Sequence, residues 1–353
     1  MKLKCRDLLK GWLVLLPVLA GQALAGEPLP PAPAGEWLKV DIDGATCRDG
    51  SQANLSVKYS DSSANVMIYL EGGGACFNAT TCLANPSSAI LTRPLSIGIF
   101  ADRPDNPVAD WNKIYVPYCT GDVFSGTRKG VDIPDGPSNQ NFTGFTNLTK
   151  MLQRIVPTFP KAEKVLLTGI SAGGFGAIFN YDQTATAFGD IPVILLDDSG
   201  VPFSDDYLAP CLQRKWREIW GWEDSLPKDC AACFQPDGAG VINSTAYMYE
   251  KWPEARLGFV TSQGDAVIRT FYGYGNNDCQ VLVPNMPAEE FKAGLQDLQD
   301  NYSQPNMTSF IVEGQMHTHI MLGFYSTEVN GQPLNEWTRD LINGTAVNQI
   351  PPE

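Results

Sequence analysis

The stretch Gly169-Ile170-Ser171-Ala172-Gly173-Gly174 follows an apolar run and precedes a segment of small residues. A strand-like run, the pattern Gly-x-Ser-x-Gly and a helix-compatible segment together predict a nucleophile elbow, in which a serine occupies a tight strand-to-helix turn. Such a turn needs neighbours without side chains, because the following helix passes close to the strand. We therefore expect Gly169 and Gly173 to leave the Ser171 hydroxyl exposed at the tip of a sheet.

Apolar runs that alternate with helical stretches indicate the α/β class, with a mostly parallel sheet and helices on both faces. The pattern favours the α/β-hydrolase fold in one large domain over residues 37–350. Residues 204–252 are predicted to form a disulfide-stapled helical cap, and we interpret their tryptophans as its small core, with a cleft lining as the alternative. The eight runs predicted as strands are Trp37–Val40, Leu55–Tyr59, Ala64–Leu70, Lys113–Tyr118, Val165–Thr168, Ile191–Leu196, Leu257–Ser262 and Ser309–Val312.

The first 25 residues have a basic start, a short apolar segment and the small-x-small pattern Ala23-Leu24-Ala25. This is the form of a secretory signal peptide. We therefore predict a cleaved leader over residues 1–25, a flexible proline-rich lead-in over 26–36, and a secreted or periplasmic mature protein. No other apolar run reaches the roughly 20 residues that a membrane span requires.

The chain is strongly acidic. Its net charge is −14, and without the leader 21 basic and 38 acidic residues give −17. Such a surface argues against nucleic acid or anionic membranes as partners. It would also repel a strongly anionic polysaccharide unless local basic groups compensate.

Eight cysteines follow the leader, and an even number in an exported chain predicts disulfides. They allow 105 pairings, of which the sequence favours a local bridge between Cys76 and Cys82. Cys230-Ala-Ala-Cys233 has the spacing of a redox or zinc motif, but zinc would need a second such pair nearby, so we interpret it as structural. The eight are Cys47, Cys76, Cys82, Cys119, Cys211, Cys230, Cys233 and Cys279.

Three glycines, Gly72 to Gly74, end the predicted strand Ala64–Leu70. Consecutive glycines let backbone N–H groups approach a ligand closely. In α/β-hydrolases a loop at this place supplies half of the oxyanion hole, and the residue after the nucleophile supplies the rest. We expect the donors to be Gly73 or Gly74 together with Ala172; the alternative is a flexible loop.

A serine nucleophile needs a base, and the chain has only two histidines, His317 and His319. Both follow the last predicted strand, where the order Ser…Asp…His places the base. We favour His317, since it comes first after the strand and Gly314, and interpret His319 as a structural or supporting residue.

Asp265 is the favoured acid because it follows a predicted strand and lies between nucleophile and base in the chain. Asp197 or Asp198, one strand earlier, is the first alternative, and Asp278 is the second. Asp122 also follows a strand. We interpret it as a supporting residue that holds backbone N–H groups of neighbouring loops.

Three motifs in order resemble the pectin acetylesterase and Notum family of carboxylesterases: Leu70–Cys76, Tyr118–Gly126 and Gly169–Gly174. The resemblance covers about residues 40–325. It implies an α/β-hydrolase fold, a Ser171–His317–Asp265 triad and an oxyanion hole from Gly73, Gly74 and Ala172. The chain differs from the family pattern at two places that bear on the substrate. Gly74 stands where members often carry Trp, and the segment with the expected base reads His-Thr-His.

The sequence therefore predicts a secreted serine esterase that works through an acyl-enzyme, with acyl groups on a polysaccharide such as pectin as the expected substrate. The mechanism requires no metal and no organic cofactor. Alternatives with the same triad are a lipid acyl esterase, a thioesterase, a serine peptidase or a polyester depolymerase. A non-catalytic carbohydrate-binding protein on a hydrolase scaffold is the alternative of another class.

Overall fold

An eight-stranded sheet organises the chain in a computed structural model, which describes residues 26–352 except 236, 239 and 282. The predicted leader, residues 1–25, lies outside the described residues. The strand order is β1-β2-β4-β3-β7-β8-β9-β10. The strands are β1 (Trp37–Thr46), β2 (Gln52–Lys58), β3 (Val66–Leu70), β4 (Asn112–Val116), β7 (Val165–Ile170), β8 (Val193–Asp198), β9 (Arg256–Ser262) and β10 (Met307–Val312).

Strands β1, β2 and β4 are antiparallel neighbours, and all other pairs in the sheet are parallel. The parallel register is level, since Leu70 pairs with Gly169 and Ile170 pairs with Asp198. The carboxyl ends of β3, β7 and β8 therefore meet at one edge. Ligand sites of open α/β sheets form at this edge.

Each of the eight predicted strands corresponds to a strand of this sheet, so the predicted mostly parallel architecture is confirmed. The sequence missed two small hairpins, β5 (Arg128–Val131) with β6 (Gln140–Phe142), and β11 (Glu328–Val329) with β12 (Gln332–Pro333). They pair strands of only two to four residues, too short for an alternation of apolar and polar side chains to stand out.

Helices cover both faces of the sheet, because alternate side chains of the buried strands point to opposite sides. Val66, Ile68 and Leu70 join one apolar core, while Met67 and Tyr69 join the other. The helices are α1 (Ala79–Ala84), α2 (Gly144–Thr158), α3 (Ala172–Phe179), α4 (Tyr181–Phe188), α5 (Pro210–Trp216), α6 (Gly240–Lys251), α7 (Ala266–Tyr272), the single turn α8 (Asn276–Cys279), α9 (Ala288–Asn301) and α10 (Leu334–Asn343).

The connection from β8 to β9 holds α5, α6 and three short helical turns, and its described residues contain no strand. This is the segment predicted as a cap. Three of its tryptophans, Trp216, Trp220 and Trp222, are buried and pack on one another, with the rings of Trp216 and Trp220 stacked 5.5 Å apart. The described part of the chain includes no helix with both the length and the apolar character needed to cross a bilayer.

Residues 26–36, predicted as a flexible lead-in, pack along α2. The Leu29 side chain is buried, and its backbone N–H donates to Thr158 Oγ1 at 2.7 Å. The N–H of Gly26 donates to the carbonyl of Gln153. Proline richness signalled the lack of regular structure here, but it carried no information on these contacts.

Four disulfides join the eight cysteines, as Cys47–Cys119, Cys76–Cys82, Cys211–Cys279 and Cys230–Cys233. The local bridge and the structural interpretation of the Cys-x-x-Cys pair are confirmed. Cys211–Cys279 ties the cap to α8, beyond β9. The two long-range bridges depend on the fold, so the sequence did not indicate them.

The helix after β7 passes very close to the end of β3. A Cβ added to Gly173 would lie 2.0 Å from the carbonyl oxygen of Leu70, and one added to Gly169 would lie 2.3 Å from the carbonyl oxygen of Gly173. Backbone atoms on both sides leave no room for adjustment. The elbow glycines are thus a condition for packing α3 against β3.

We expect Gly173→Ala to lower the free energy of unfolding by about 1–3 kcal/mol or more, because overpacking against backbone forces the two elements apart. Gly264→Ala is the matched control: the nearest atom to its Cβ would be the Ala288 Cβ at 3.4 Å, an ordinary contact. Urea unfolding of both variants checks this. Equal stability of the two would contradict the close approach.

We expect replacement of both cysteines of the Cys47–Cys119 bridge by Ser to cost about 2–3 kcal/mol more than the same change at Cys230–Cys233. The bridges span 72 and 3 residues, and cross-linking a longer loop removes more entropy from the unfolded chain. Urea midpoints of the two double variants measure the difference, and similar midpoints would contradict it.

Candidate active site

Ser171 lies in the turn between β7 and α3 with φ 55° and ψ −120°. Residues other than glycine rarely adopt positive φ, and such strain concentrates at functional sites. The Ser171 N–H donates to the Asp198 carbonyl at 2.8 Å, which holds the turn against the end of β8. The geometry is that of the predicted elbow.

The His317 ring lies against the Asp265 carboxylate. Its Nδ1 is 2.8 Å from Oδ2 and 3.0 Å from Oδ1 of Asp265. Asp265 is fully buried, while 19% of the His317 side chain is exposed. A buried carboxylate at Nδ1 fixes the tautomer with its free lone pair on Nε2, the arrangement that a general base requires.

Asp265 is itself held by the first turn of α7. Its Oδ1 accepts hydrogen bonds from the N–H groups of Val267 and Ile268, each at 3.0 Å. Asp265 is thus both the N-cap of this helix and the partner of His317. Capping fixes the carboxylate before any substrate is present.

His319 has other partners. Its ring is fully buried, and Nε2 lies 3.0 Å from Ser262 Oγ, which donates to the Met316 carbonyl at 2.7 Å. Because Ser262 donates its hydroxyl proton to the Met316 carbonyl, its Oγ acts as the acceptor for His319, and Nε2–H of His319 donates to it. Desolvation by burial lowers the pKa of His319, so the ring is neutral. These contacts place His319 behind the loop that carries His317.

Asp198, an alternative acid in the sequence, contacts backbone rather than a histidine ring. Its Oδ2 accepts from the N–H groups of His319 and Ile320, at 2.6 and 2.8 Å. Burial raises its pKa, and these hydrogen bonds oppose the rise. Asp198 anchors the loop of His317 to the end of β8.

The other acid candidates lie apart from the histidine rings. Asp197 is buried, and its Oδ1 accepts from the Gly200 N–H at 2.8 Å. Asp278 is exposed on α8. Among the three alternatives and Asp265, a ring nitrogen of a histidine bonds only to Asp265 in the described structure.

The glycine loop after β3 is held from outside. The Gly73 carbonyl accepts from Asn85 Nδ2 at 2.6 Å, and the Gly74 carbonyl accepts from the Tyr118 hydroxyl at 2.9 Å. Asn85 is held in turn by the buried Arg48, which donates to its carbonyl. Asn85 and Arg48 were not predicted as supporting residues, since no local sequence pattern links them to the loop. These contacts engage the carbonyl oxygens of Gly73 and Gly74. The N–H groups of the two residues take no part in them, so they can serve as donors to a ligand.

Asp122 is a structural residue of a neighbouring loop. Its carboxylate accepts from Thr120 Oγ1, from the Phe124 N–H and from the Gly144 N–H, at 2.6, 3.1 and 2.7 Å. The Phe124 ring packs against Gly176 of α3, where an added Cβ would lie 2.6 Å from it. Asp122 therefore supports the helix that follows Ser171.

An open cavity adjoins Ser171. Gly74, Ser171 and Ala172 lie on its wall. The rest of the lining is almost wholly apolar and comes from α3, α7 and the cap; it includes Phe175, Phe179, Trp216, Trp220, Trp222, Val241, Ile268, Phe271 and Tyr272.

The cap tryptophans serve both interpretations made from the sequence, because they are buried and also line this cavity. Two of them are fixed by hydrogen bonds: Trp220 Nε1 donates to the Cys76 carbonyl at 2.9 Å, and Trp222 Nε1 donates to Ser125 Oγ at 2.7 Å. Trp220 thereby joins the cap to the end of the glycine loop. The cavity wall is rigid as a result.

The described residues include no group of three or more His, Cys, Asp or Glu side chains arranged to hold a metal ion.

Known proteins resemble the chain in sequence and fold. A palmitoleoyl-protein carboxylesterase NOTUM of Drosophila melanogaster is 29% identical over 215 residues, 54% of this chain and 31% of that protein. Human palmitoleoyl-protein carboxylesterase NOTUM is 31% identical over 54% of this chain and 43% of its own. Pectin acetylesterase 11 of Arabidopsis thaliana is 27% identical over 55% of this chain and 53% of its own. The chain thus spans between about a third and a half of these relatives.

A solved structure of the Wnt deacylase Notum from Drosophila superimposes with a TM-score of 0.67 over 89% of this chain and 95% of that one, at 21% identity. The α/β-hydrolase fold predicted from the sequence is confirmed by this likeness. The sequence model of the pectinacetylesterase family matches residues 38–245, which include the glycine loop, the elbow and most of the predicted cap. Because that match covers more than half of the chain, the protein belongs to the pectinacetylesterase family.

Proposed function

We propose that the protein is a serine carboxylic ester hydrolase with Ser171 as nucleophile, His317 as base and Asp265 as the acid that orients it. The observation that carries the proposal is the hydrogen-bonded Asp265–His317 pair, which follows β9 and β10 at the same edge of the sheet as the strained elbow serine beside the apolar cavity. Membership of the pectinacetylesterase family supports an esterase activity.

In the acylation step His317 Nε2 takes the proton of the Ser171 hydroxyl as its oxygen attacks the ester carbonyl. Asp265 holds Nδ1–H and stabilises the imidazolium that forms. The N–H groups of Gly73 or Gly74 and of Ala172 stabilise the negative charge on the carbonyl oxygen. His317 then gives the proton to the leaving alcohol.

Deacylation repeats the same chemistry with water. His317 takes a proton from water, which attacks the acyl-enzyme, and Ser171 leaves with a proton returned from His317.

We assign the acyl part of the substrate to the apolar cavity. Its lining offers dispersion contacts and no ionic group to an acyl chain that starts at Ser171. Its apolar wall draws side chains from α3, α6 and α7, more than an acetyl group at Ser171 can contact. The cavity therefore supports an acyl group longer than acetyl.

Removal of acetyl groups from a polysaccharide is the second candidate. It is favoured by the match to the pectinacetylesterase family model and by the similarity to Pectin acetylesterase 11. The net charge of −14 disfavours binding of a polyanionic pectin and favours a neutral acetylated polymer such as xylan.

We further propose that the mature protein is exported as a single domain over residues 37–350, with residues 204–252 as its cap. The signal-like residues 1–25 and four disulfides support export, because disulfides persist in oxidising compartments.

We expect Ser171→Ala and His317→Ala each to lower kcat/KM on p-nitrophenyl acetate by at least about 10³-fold, since both act in the same step. His319→Ala is the matched control: it should retain activity within about tenfold while losing about 1–3 kcal/mol of stability, because it removes a buried ring and its bond to Ser262. Initial rates and urea unfolding separate the two effects. Equal modest losses at both histidines, or full activity of Ser171→Ala, would refute the assignment.

We expect kcat/KM on p-nitrophenyl esters to rise up to about fourfold for each methylene from acetyl to hexanoyl, since each buried methylene contributes about 0.8 kcal/mol. Val241→Trp, which fills the cavity from α6, should abolish this rise and keep the rate on the acetyl ester. Steady-state rates over the ester series provide the measurement.

The acetyl ester is the internal control for folding of the Val241 variant. A rate that is highest for the acetyl ester in the parent, together with acetate release from acetylated xylan or pectin, would favour the second candidate instead.

A further inference from the structure

Exposed apolar side chains gather around the candidate active site. Eight of the eleven large hydrophobic side chains that are exposed in the described structure belong to four segments at this edge. We call them the apolar rim: Leu83, Ile90, Leu91, Leu95, Ile97, Val267, Met316 and Leu322. Apolar patches of this kind on soluble proteins mark interaction sites.

Three of the four rim segments adjoin a part of the proposed machinery. Leu83 lies in α1 next to Cys82, whose bridge to Cys76 joins this helix to the glycine loop. Val267 donates its N–H to Asp265, and Met316 directly precedes His317. These three segments therefore lie beside the loops that carry the proposed machinery.

The two longest rim segments lie side by side. The N–H of Ile99 donates to the Ile320 carbonyl at 2.9 Å, and the Tyr325 hydroxyl donates to the Gly98 carbonyl at 3.0 Å. Ile97 directly precedes these contacts on one segment and Leu322 lies within the other, and the Leu322 side chain is 78% exposed. The two segments therefore present exposed apolar side chains on neighbouring stretches of backbone, one of which continues from His317.

The rim has almost no charge in a strongly acidic chain. Residues 83–100 contain one charged side chain, Arg93, and residues 314–325 contain no Asp, Glu, Lys or Arg. The chain as a whole carries −14. An uncharged apolar phase complements such a surface, whereas an anionic bilayer would be repelled.

We propose that the apolar rim docks the enzyme on the uncharged surface of an aggregated lipid-like ester. This rests on the proposed esterase function and names the physical form of its substrate. Three rim segments adjoin the proposed machinery, so an enzyme docked through the rim would bring its active-site loops against the aggregate. A second copy of the chain on the rim would instead cover these loops and hinder the entry of substrate.

Adsorption is tested without turnover on the Ser171→Ala protein, by flotation with a triolein emulsion stabilised by phosphatidylcholine. We expect adsorption that does not weaken with added NaCl, since no ion pair carries it. The double change Leu95→Ser/Leu322→Ser should lower partitioning by about tenfold, because two leucines no longer enter the apolar phase.

The matched control is Val347→Ser/Ile350→Ser, which removes two exposed apolar side chains near the carboxyl-terminal end of the chain. It should partition like the parent. With Ser171 restored, the rim variant should hydrolyse soluble p-nitrophenyl acetate at the parent rate and emulsified tributyrin at least about tenfold more slowly.

Equal partitioning of the rim variant and its parent would overturn the proposal, as would equal losses in the rim and control variants. A parent that dimerises through Leu95 and Leu322 in gel filtration and does not adsorb would assign the rim to a second copy. Failure of the active protein to hydrolyse either ester would overturn the proposed function. The adsorption of the Ser171→Ala protein would still show whether the rim docks on the emulsion.

Discussion

The contact on which this site depends is the crossing of α3 over the end of β3. Gly173 lies so close to the Leu70 carbonyl that no side chain fits between them. This crossing places the glycine loop that continues β3 beside the turn that carries Ser171. Ser171 and the expected oxyanion donors therefore follow two strands that pair directly, Leu70 with Gly169. Their relative position is fixed by backbone packing rather than by side chains.

The loop that carries His317, the proposed base, is held by a different kind of interaction. At the end of β8 the buried Asp198 accepts hydrogen bonds from the backbone of this loop. At the end of β9 the buried Ser262 forms a hydrogen bond with the ring of His319. A buried carboxylate is stable here because two N–H groups compensate for its lost hydration. Burial lowers the pKa of His319, so this ring stays neutral behind the base. The loop of His317 is thus positioned by the sheet itself, not by the substrate.

The sequence predicted what depends on local pattern and chain order: the elbow, the eight strands, and the association of Asp265 with a histidine after the last strand. It favoured His317 over His319 only by loop position, and the distinction in the structure comes from their ring partners. The sequence did not predict contacts between residues far apart in the chain, such as Asp198 with His319 and Asn85 with Gly73. The long disulfides and the tryptophan wall depend on how the cap folds back, which no local periodicity encodes.

Asp265 begins α7, and the same helix carries Ile268, Phe271 and Tyr272 of the cavity wall. A substitution that shifts this helix to admit a different acyl group would also displace the acid from His317. The opposite wall comes from the cap, which contributes no member of the proposed triad. Substitutions that alter acyl preference are therefore less constrained in α5 and α6 than in α7. Selectivity can change through the cap while the proton-transfer geometry stays constant.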